Sequence, residues 1–76
     1  MREIVETIVR NLVDNPDEVE IIEDRDGKNV RLEIRVAESD RGTVIGRHGA
    51  TVGALRTLLD GIGHRDRLRV DIDVPD

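Results

Sequence analysis

A short stretch near the middle of the chain, Val44 to Thr51, constrains the possible fold more than any other. Two glycines, Gly46 and Gly49, stand three positions apart between an apolar pair and a helical pattern. That spacing predicts a tight loop that opens a helix, because glycine adopts positive φ without strain and lets another backbone approach closely. The N–H groups and the positive dipole end of the following helix then point outward at the loop, which favours binding of an anion such as a phosphate.

Between the two glycines lie Arg47 and His48, which carry hydrogen-bond donors and no negative charge. A Gly-x-x-Gly loop between two helical segments is the device with which a KH domain clamps about four nucleotides of backbone. The alternative interpretation of the same spacing is a plain turn between two helices, in which the glycines only cap the helix ends and let the two helices cross. The rest of the chain has to decide between the two.

The composition limits the other possibilities. The apolar residues are almost entirely aliphatic, with ten Val, eight Ile and six Leu against no aromatic residue, which disfavours modules that stack bases on exposed rings. A chain of 76 residues has a simple core, because it buries only about 60% of its unfolded surface. The absence of cysteine excludes disulfides and thiolate metal sites. No membrane span or signal peptide is recognisable, so a cytoplasmic location is expected.

The charge distribution favours a nucleic-acid partner although the net charge does not. The chain has a net charge of −5. Residues 1–30 carry four basic and nine acidic groups, whereas residues 41–69 carry six arginines against two aspartates, so the two regions have net charges of −5 and +4. The basic surplus therefore surrounds the glycine loop, as expected for a phosphate-binding surface. Alternatively, a charge bias of this size arises by chance on a polar, solvated surface that binds no nucleic acid.

Hydrophobic periodicity predicts six elements in the order helix, strand, strand, short helix, helix, strand. The predicted ranges are 2–13, 19–24, 29–37, about 38–45, 50 to about 62, and 67–74. The first helix is expected to end at Asp14-Asn15-Pro16, because the residue before proline leaves the helical region. Ser39 or Asp40 is expected to cap the short helix. The expected buried stripes are Ile4, Val5, Ile8, Val9, Leu12 and Val13 in the first helix and Ala54, Leu55, Leu58, Leu59 and Ile62 in the long one.

The first two strands are expected to form a hairpin around Asp26-Gly27, a strong two-residue turn signal. In that register, residues whose numbers sum to 53 lie opposite one another, which pairs Ile21 with Leu32. It also pairs Glu20 with Glu33, an unfavourable contact that leaves the alignment open. One face of the sheet is apolar and the other is largely charged, so helices are expected on a single face.

The element order with its Gly-x-x-Gly loop resembles the prokaryotic (type II) KH domain. Three segments, Leu12–Val19, Val44–Gly49 and Ala54–Thr57, are similar to the small bacterial single-KH RNA-binding proteins of the KhpA (YlqC) family, and the similarity covers essentially the whole chain. The Asp-Asn-Pro turn is the more specific marker of that family. The resemblance implies an α+β fold of order α-β-β-α-α-β, with three helices on one face of a three-stranded sheet and a single KH domain over residues 1–76.

For function, the resemblance implies a cytoplasmic RNA-binding protein or RNA chaperone without catalysis. No cofactor, metal, membrane or small-molecule substrate is expected. Members of the family bind RNA through the Gly-x-x-Gly loop and self-associate or pair with a larger KH-containing protein, with links to cell shape and division in some bacteria. The partners expected here are single-stranded RNA and either a second copy of the chain, in a homodimer, or a larger KH-containing protein. Ala50 departs from the family pattern, because a basic residue often follows the second glycine there. Ala50 therefore removes one expected phosphate contact, and whether it weakens RNA binding is left open by the sequence.

The predicted RNA-binding residues fall into three groups. The loop itself provides the clamp, an aliphatic floor meets the bases, and two arginines of the last loop extend the electrostatic track. These groups are Gly46, Arg47, His48 and Gly49; Val44, Ile45 and Val52; and Arg65 and Arg67. No catalytic residue is predicted, because no activated nucleophile, metal-ligand cluster or carboxylate pair accompanies the histidines, and no nucleotide-binding glycine motif is present.

A protein-interaction module with weak or no RNA binding of its own is the second hypothesis. It is favoured by the acidic first half of the chain, by Ala50 in place of a basic residue and by the mixed charges on one face of the sheet. It predicts self-association or partner binding that survives reversal of the charge at Arg47.

Overall fold

The computed structural model describes all 76 residues and contains three helices and three strands. In chain order they are α1 (Arg2–Leu12), β1 (Glu20–Asp26), β2 (Asn29–Arg35), α2 (Arg41–Ile45), α3 (Ala50–Gly63) and β3 (Arg69–Asp73). Short 3-10 turns occupy Pro16–Glu18, Glu38–Asp40, Arg47–Gly49 and His64–Asp66. The predicted α+β fold and its order α-β-β-α-α-β are confirmed.

The three strands form a mixed sheet in the order β1-β2-β3, with β2 in the centre. β1 pairs with β2 antiparallel, whereas β3 pairs with β2 parallel, which requires the crossover made by α2 and α3. The apolar face of the sheet packs against the helices in one core. Its buried residues are Val5, Val9, Val19, Ile21, Val30, Leu32, Ile34, Val44, Leu55, Leu59, Val70 and Ile72.

The register of the β1–β2 hairpin differs from the predicted one by two residues. Ile21 lies opposite Ile34, and the paired residue numbers sum to 55. The turn is Gly27-Lys28, because Gly27 takes a φ of +60° at the first central position, as in a type II′ turn, while Asp26 remains in the strand. A shift of two keeps every side chain on its predicted face.

The observed register also removes the unfavourable charge pair of the predicted one. Glu20 lies opposite Arg35, and their Oε1 and Nη1 atoms are 3.7 Å apart. Ile22 takes the place opposite Glu33. Opposite charges on facing strands stabilise a hairpin by a few tenths of a kcal/mol, up to about 1 kcal/mol, so cross-strand pairing favours this alignment together with the Gly27 turn.

The buried stripes of both long helices are narrower than predicted. Leu55 and Leu59 are buried in α3, but Leu58 and Ile62 are 44% and 42% exposed. In α1, Val5 and Val9 are fully buried, whereas Ile4 and Leu12 are exposed. A sheet of three strands is too narrow to cover two rows of each helix, so only the row that faces the sheet enters the core. The exposed rows are Ile4 and Leu12 in α1 and Ala54, Leu58 and Ile62 in α3.

Asp40 does not cap α2 with its side chain, contrary to the prediction, and neither does Ser39. Asp40 is 2% exposed, and its carboxylate accepts hydrogen bonds from the backbone N–H groups of Asp14 and Asn15 at 3.1 and 3.0 Å. The Asn15 side-chain amide donates a third at 3.0 Å. Asp40 therefore joins the Asp-Asn-Pro turn after α1 to the segment that leads into α2.

Candidate nucleic-acid interface

The loop between α2 and α3 reverses the chain within four residues, three of which have positive φ. Gly46 ends α2 with φ +78° and ψ 169°, and Arg47–Gly49 form one 3-10 turn. Within that turn His48 and Gly49 have φ values of +56° and +75°. The Gly49 N–H donates a hydrogen bond to the Gly46 carbonyl at 3.1 Å, which closes the loop. The sequence prediction of a tight glycine loop opening a helix is confirmed.

The two glycines are needed for different reasons. A Cβ atom at Gly46 would lie within 2.6 Å of the Thr51 backbone nitrogen, so the first turn of α3 packs directly on this residue. A Cβ atom at Gly49 would meet nothing within 4 Å. Gly46 is thus required by packing as well as by its backbone angles, whereas Gly49 is required by its left-handed conformation and leaves open space on the outside of the loop.

Arg47 and His48 point into solvent from this loop. Both side chains are exposed, and neither makes an ion pair or a hydrogen bond with the rest of the protein. α3 begins immediately afterwards at Ala50, and no side chain caps its N-terminus. An unpaired guanidinium, open backbone and the positive end of a 14-residue helix therefore lie together, a combination suited to an anion.

The apolar residues predicted beside the loop occupy two different environments. Val44 is fully buried in the core, so its side chain supports α2 from inside and has no surface for a base. This prediction therefore needs correction. Ile45 and Val52 are half-buried and keep an accessible part beside the loop. None of the three surface concavities is lined by loop residues, so the protein has no preformed groove here.

The remaining arginines of the basic region are distributed along the molecule. Arg41 is already engaged, because it donates hydrogen bonds to the Val74 and Pro75 carbonyls at 3.0 and 2.9 Å. Arg65 and Arg67 lie at the far end of α3, about 21 Å from the loop at a helical rise of about 1.5 Å per residue.

The structure adds one candidate residue that was not among the RNA-binding residues predicted from the sequence. Arg56 is exposed on α3 without an ion pair, and it lies one helical turn after Val52 on the same row. The four-residue spacing between Val52 and Arg56, which places both on one side of the helix, was the sequence signal that could have identified Arg56.

Ionisable groups with an altered pKa lie away from the loop. Burial raises the pKa of Asp40, but the hydrogen bonds from Asp14 and Asn15 outweigh burial and leave it below its ordinary value. Hydrogen bonding to its own backbone N–H and the nearby N-terminal ammonium lower the pKa of Glu3. Every buried side-chain polar atom has a hydrogen-bond partner, and no cluster of three or more His, Asp or Glu residues could hold a metal. None of the helices is long and apolar enough to span a bilayer.

Comparison with known proteins places this fold and loop in one family. A model of the KhpA/KhpB KH domain matches residues 2–74. The chain belongs to the KhpA/KhpB KH-domain family. No solved structure matches the chain. The family match spans all six elements and includes both the Asp-Asn-Pro turn and the glycine loop.

Curated members of the KhpA/KhpB family match over nearly the same length. The protein named RNA-binding protein KhpA from Mycobacterium bovis is 51% identical over 70 residues, covering 90% of this chain and 84% of that protein. The one from Chlamydia trachomatis serovar D is 39% identical over 74 residues, covering 97% and 95%. The one from Halalkalibacterium halodurans is 38% identical over 76 residues, covering both chains in full.

Proposed function

We propose that this chain binds single-stranded RNA by clamping the backbone at the Gly46–Gly49 loop. The observation that carries the proposal is the loop itself, where an unpaired Arg47 and the open side of Gly49 lie at the uncapped N-terminus of α3. The names of the relatives, which describe RNA-binding proteins, support RNA as the ligand. The same proposal includes a cytoplasmic location and an RNA-chaperone role, which the family resemblance implies, and no catalytic step.

In this mode, phosphates contact the loop backbone and Arg47, while His48 donates a further hydrogen bond. The bases extend toward the accessible parts of Ile45 and Val52, and Arg56 meets the next phosphate along α3. No aromatic residue is present to stack on a base, so contacts to the backbone provide most of the affinity. Ala50 provides no cation beside Gly49, which leaves Arg47 as the principal charge of the clamp.

Self-association through α3 is the second part of the proposal. Leu58 and Ile62 are 44% and 42% exposed, and Ala54 lies on the same row. Thr57 and Gly61 flank that row and are both small and uncharged, so another helix can approach closely along an apolar face without burying a charge. A homodimer through this face would raise the avidity of a weak single clamp. A larger KH-containing partner would use the same face.

The alternative function, a protein-interaction module with little RNA binding of its own, is favoured by the same exposed row of α3. The two proposals differ in what the loop contributes. RNA binding requires the charge at Arg47, whereas association through Leu58 and Ile62 does not. A charge reversal at the loop therefore separates them.

The deciding experiment is titration of a fluorescent single-stranded RNA pool with the wild type and with Arg47→Asp/His48→Asp. The matched control is Arg2→Asp/Thr7→Asp, which makes the same charge change at exposed positions of α1. We expect the loop variant to bind at least about tenfold more weakly, since a negative group replaces a phosphate contact, and the control to bind like the wild type. Circular dichroism confirms that each variant is folded.

Two results would contradict the RNA clamp. If the wild type binds no RNA, or if the folded loop variant binds as tightly as the control, the loop is not the binding site. If self-association is retained in that variant, the protein-interaction function becomes the better description.

A further inference from the structure

A second group of cations lies at the end of α3 opposite the glycine loop. The turn after α3 and the start of β3 surround an open concavity of about 770 Å³. Arg65, Arg67, Arg69 and His64 line it, and the only carboxylate among its lining residues is that of Asp60. None of the three arginines forms an ion pair or a side-chain hydrogen bond. Its lining therefore contains three arginines against one carboxylate, and Asp66 lies in the same turn without lining the concavity.

The unpaired state of these arginines distinguishes them from others in the chain. Four arginines elsewhere are paired with a carboxylate, namely Arg10, Arg31, Arg35 and Arg41. The Arg69 N–H donates a hydrogen bond to the Lys28 carbonyl at 2.7 Å, which fixes the start of β3 against the hairpin turn. The backbone of the concavity is thus held by the sheet while its guanidinium groups stay free for an anion.

Arg67 has an unfavourable backbone conformation for a residue with a side chain. Its φ of +57° is left-handed, and His48 is the only other non-glycine residue with positive φ. A glycine would take this conformation without strain, so the chain keeps an arginine at a conformational cost. Such residues cluster at functional sites. His48 and Arg67 lie in the two loops at opposite ends of α3, and each loop displays at least one unpaired arginine.

One row of α3 connects the loop to the concavity. Val52, Arg56, Asp60 and His64 follow one another at intervals of four, so they lie along one side of the helix. Val52 is beside the glycine loop, Arg56 is an unpaired cation, and the last two line the concavity. This row is separate from the exposed apolar row of Ala54, Leu58 and Ile62, so both remain usable at the same time.

We propose that the concavity is a second RNA-backbone site, which binds phosphates of the strand that leaves the Gly46–Gly49 loop along this row. The inference rests on the proposed RNA clamp and extends it. α3 is about 21 Å long, and a stacked strand rises about 3.4 Å per nucleotide, so about six nucleotides separate the two sites. RNA longer than the clamped segment is therefore expected to bind more tightly.

The test compares two oligouridines, one of about four nucleotides, the length that a KH clamp holds, and one of about twelve. Their affinities are measured across a salt series for the wild type, for Arg65→Gln/Arg67→Gln/Arg69→Gln, and for the control Arg2→Gln/Arg10→Gln/Arg31→Gln, which removes the same charge elsewhere. We expect the concavity variant to bind the long RNA about tenfold more weakly, with a salt slope smaller by about 2, since each lost phosphate contact contributes about 0.7. Binding of the short RNA should equal that of the control.

A single substitution tests the same site in the opposite direction. Asp60→Asn removes the carboxylate that repels a phosphate in the concavity, so it should tighten binding of the long RNA and leave the short one unchanged. Both variants change exposed side chains, and thermal unfolding verifies that they are folded.

The outcomes distinguish this inference from the clamp on which it rests. If the wild type binds the long RNA but the concavity variant matches the control, the second site is refuted and the clamp stands. Equal weakening of short and long RNA would also refute it, because the arginines would then belong to the clamp. If the wild type binds neither RNA, the proposed RNA function itself fails, and the second site with it.

Discussion

At the scale of single residues, Asp40 decides how the Asp-Asn-Pro turn is held. Its buried carboxylate accepts three hydrogen bonds from Asp14 and Asn15. These bonds keep the pKa of Asp40 below its ordinary value despite burial. A carboxyl group with a lowered folded-state pKa stabilises the fold fully above its unfolded pKa, and the contribution is lost as the pH falls through the folded pKa.

We predict that Asp40→Asn lowers the midpoint of thermal unfolding by several degrees at neutral pH, since the neutral amide accepts weaker hydrogen bonds and brings its own N–H groups to the site. The difference from the wild type should shrink as the pH falls below about 4, the ordinary pKa of an aspartate. Thermal unfolding followed by circular dichroism across pH measures both. If the difference in unfolding midpoint between the wild type and Asp40→Asn stays constant down to about pH 2 to 3, below the ordinary pKa of an aspartate, the stabilisation does not depend on the charge of Asp40.

The two loop glycines are predicted to tolerate alanine differently. Gly46→Ala should cost about 3 kcal/mol or more, because the Cβ meets Thr51 and the backbone angles are almost restricted to glycine. Gly49→Ala should cost only about 1 kcal/mol, since open space surrounds the left-handed residue. Chemical denaturation provides both values, and equal costs would show that packing on Thr51 does not set the loop geometry.

At the scale of elements, α3 has three rows of side chains that lie in different environments. The row of Leu55 and Leu59 packs on the sheet, the row of Leu58 and Ile62 remains exposed, and the row of Val52 and Arg56 faces the proposed RNA path. Helical periodicity identifies all three rows. Only the width of the sheet determines that the second row lies outside the core.

We predict that Leu58→Glu/Ile62→Glu abolishes self-association with a change in unfolding free energy of no more than about 0.5 kcal/mol per site, as for other surface positions. The comparison variant Leu59→Ala should instead cost about 2–5 kcal/mol, because it leaves a cavity in the core. Sedimentation velocity at several concentrations gives the oligomeric state. A wild type that is monomeric throughout would refute the homodimer, and a dimer that persists in the glutamate variant would place it on another surface.

At the scale of the whole molecule, charge is separated between two regions. The net charge is −5, while residues 41–69 have a surplus of four positive charges. The net charge repels a phosphate backbone, whereas the local surplus of residues 41–69 attracts it. If RNA binds as proposed, its affinity depends on a few local contacts.

We predict that log K for a short RNA falls with log salt at a slope of about −1.4 to −2, as expected when two or three phosphates of a single strand are neutralised. Fluorescence anisotropy at four or more salt concentrations measures the slope, about −0.7 per phosphate. A slope near zero would contradict a phosphate clamp. A much steeper slope for the short RNA would mean that the arginines beyond the loop already contribute.

Local chemistry in the sequence was sufficient to predict the element order, the glycine loop and the faces of the sheet. Periodicity identifies helices and strands, because side chains repeat every 3.6 or two residues whatever their neighbours are. The positive φ values at Gly46 and Gly49 likewise follow from a tight turn between two helices. The exposed positions of Arg47 and His48 are in keeping with that local pattern.

Contacts between residues distant in sequence decided the rest. The hairpin register depended on whether Arg35 or Glu33 faced Glu20, and the role of Asp40 depended on a turn 25 residues earlier. Burial of Val44 and exposure of Leu58 likewise followed from how much of each helix a three-stranded sheet covers. The sequence by itself determined the local conformations, because these depend on near neighbours. The tertiary structure alone decided which side chains are buried, paired or free, because that depends on what the fold places beside them.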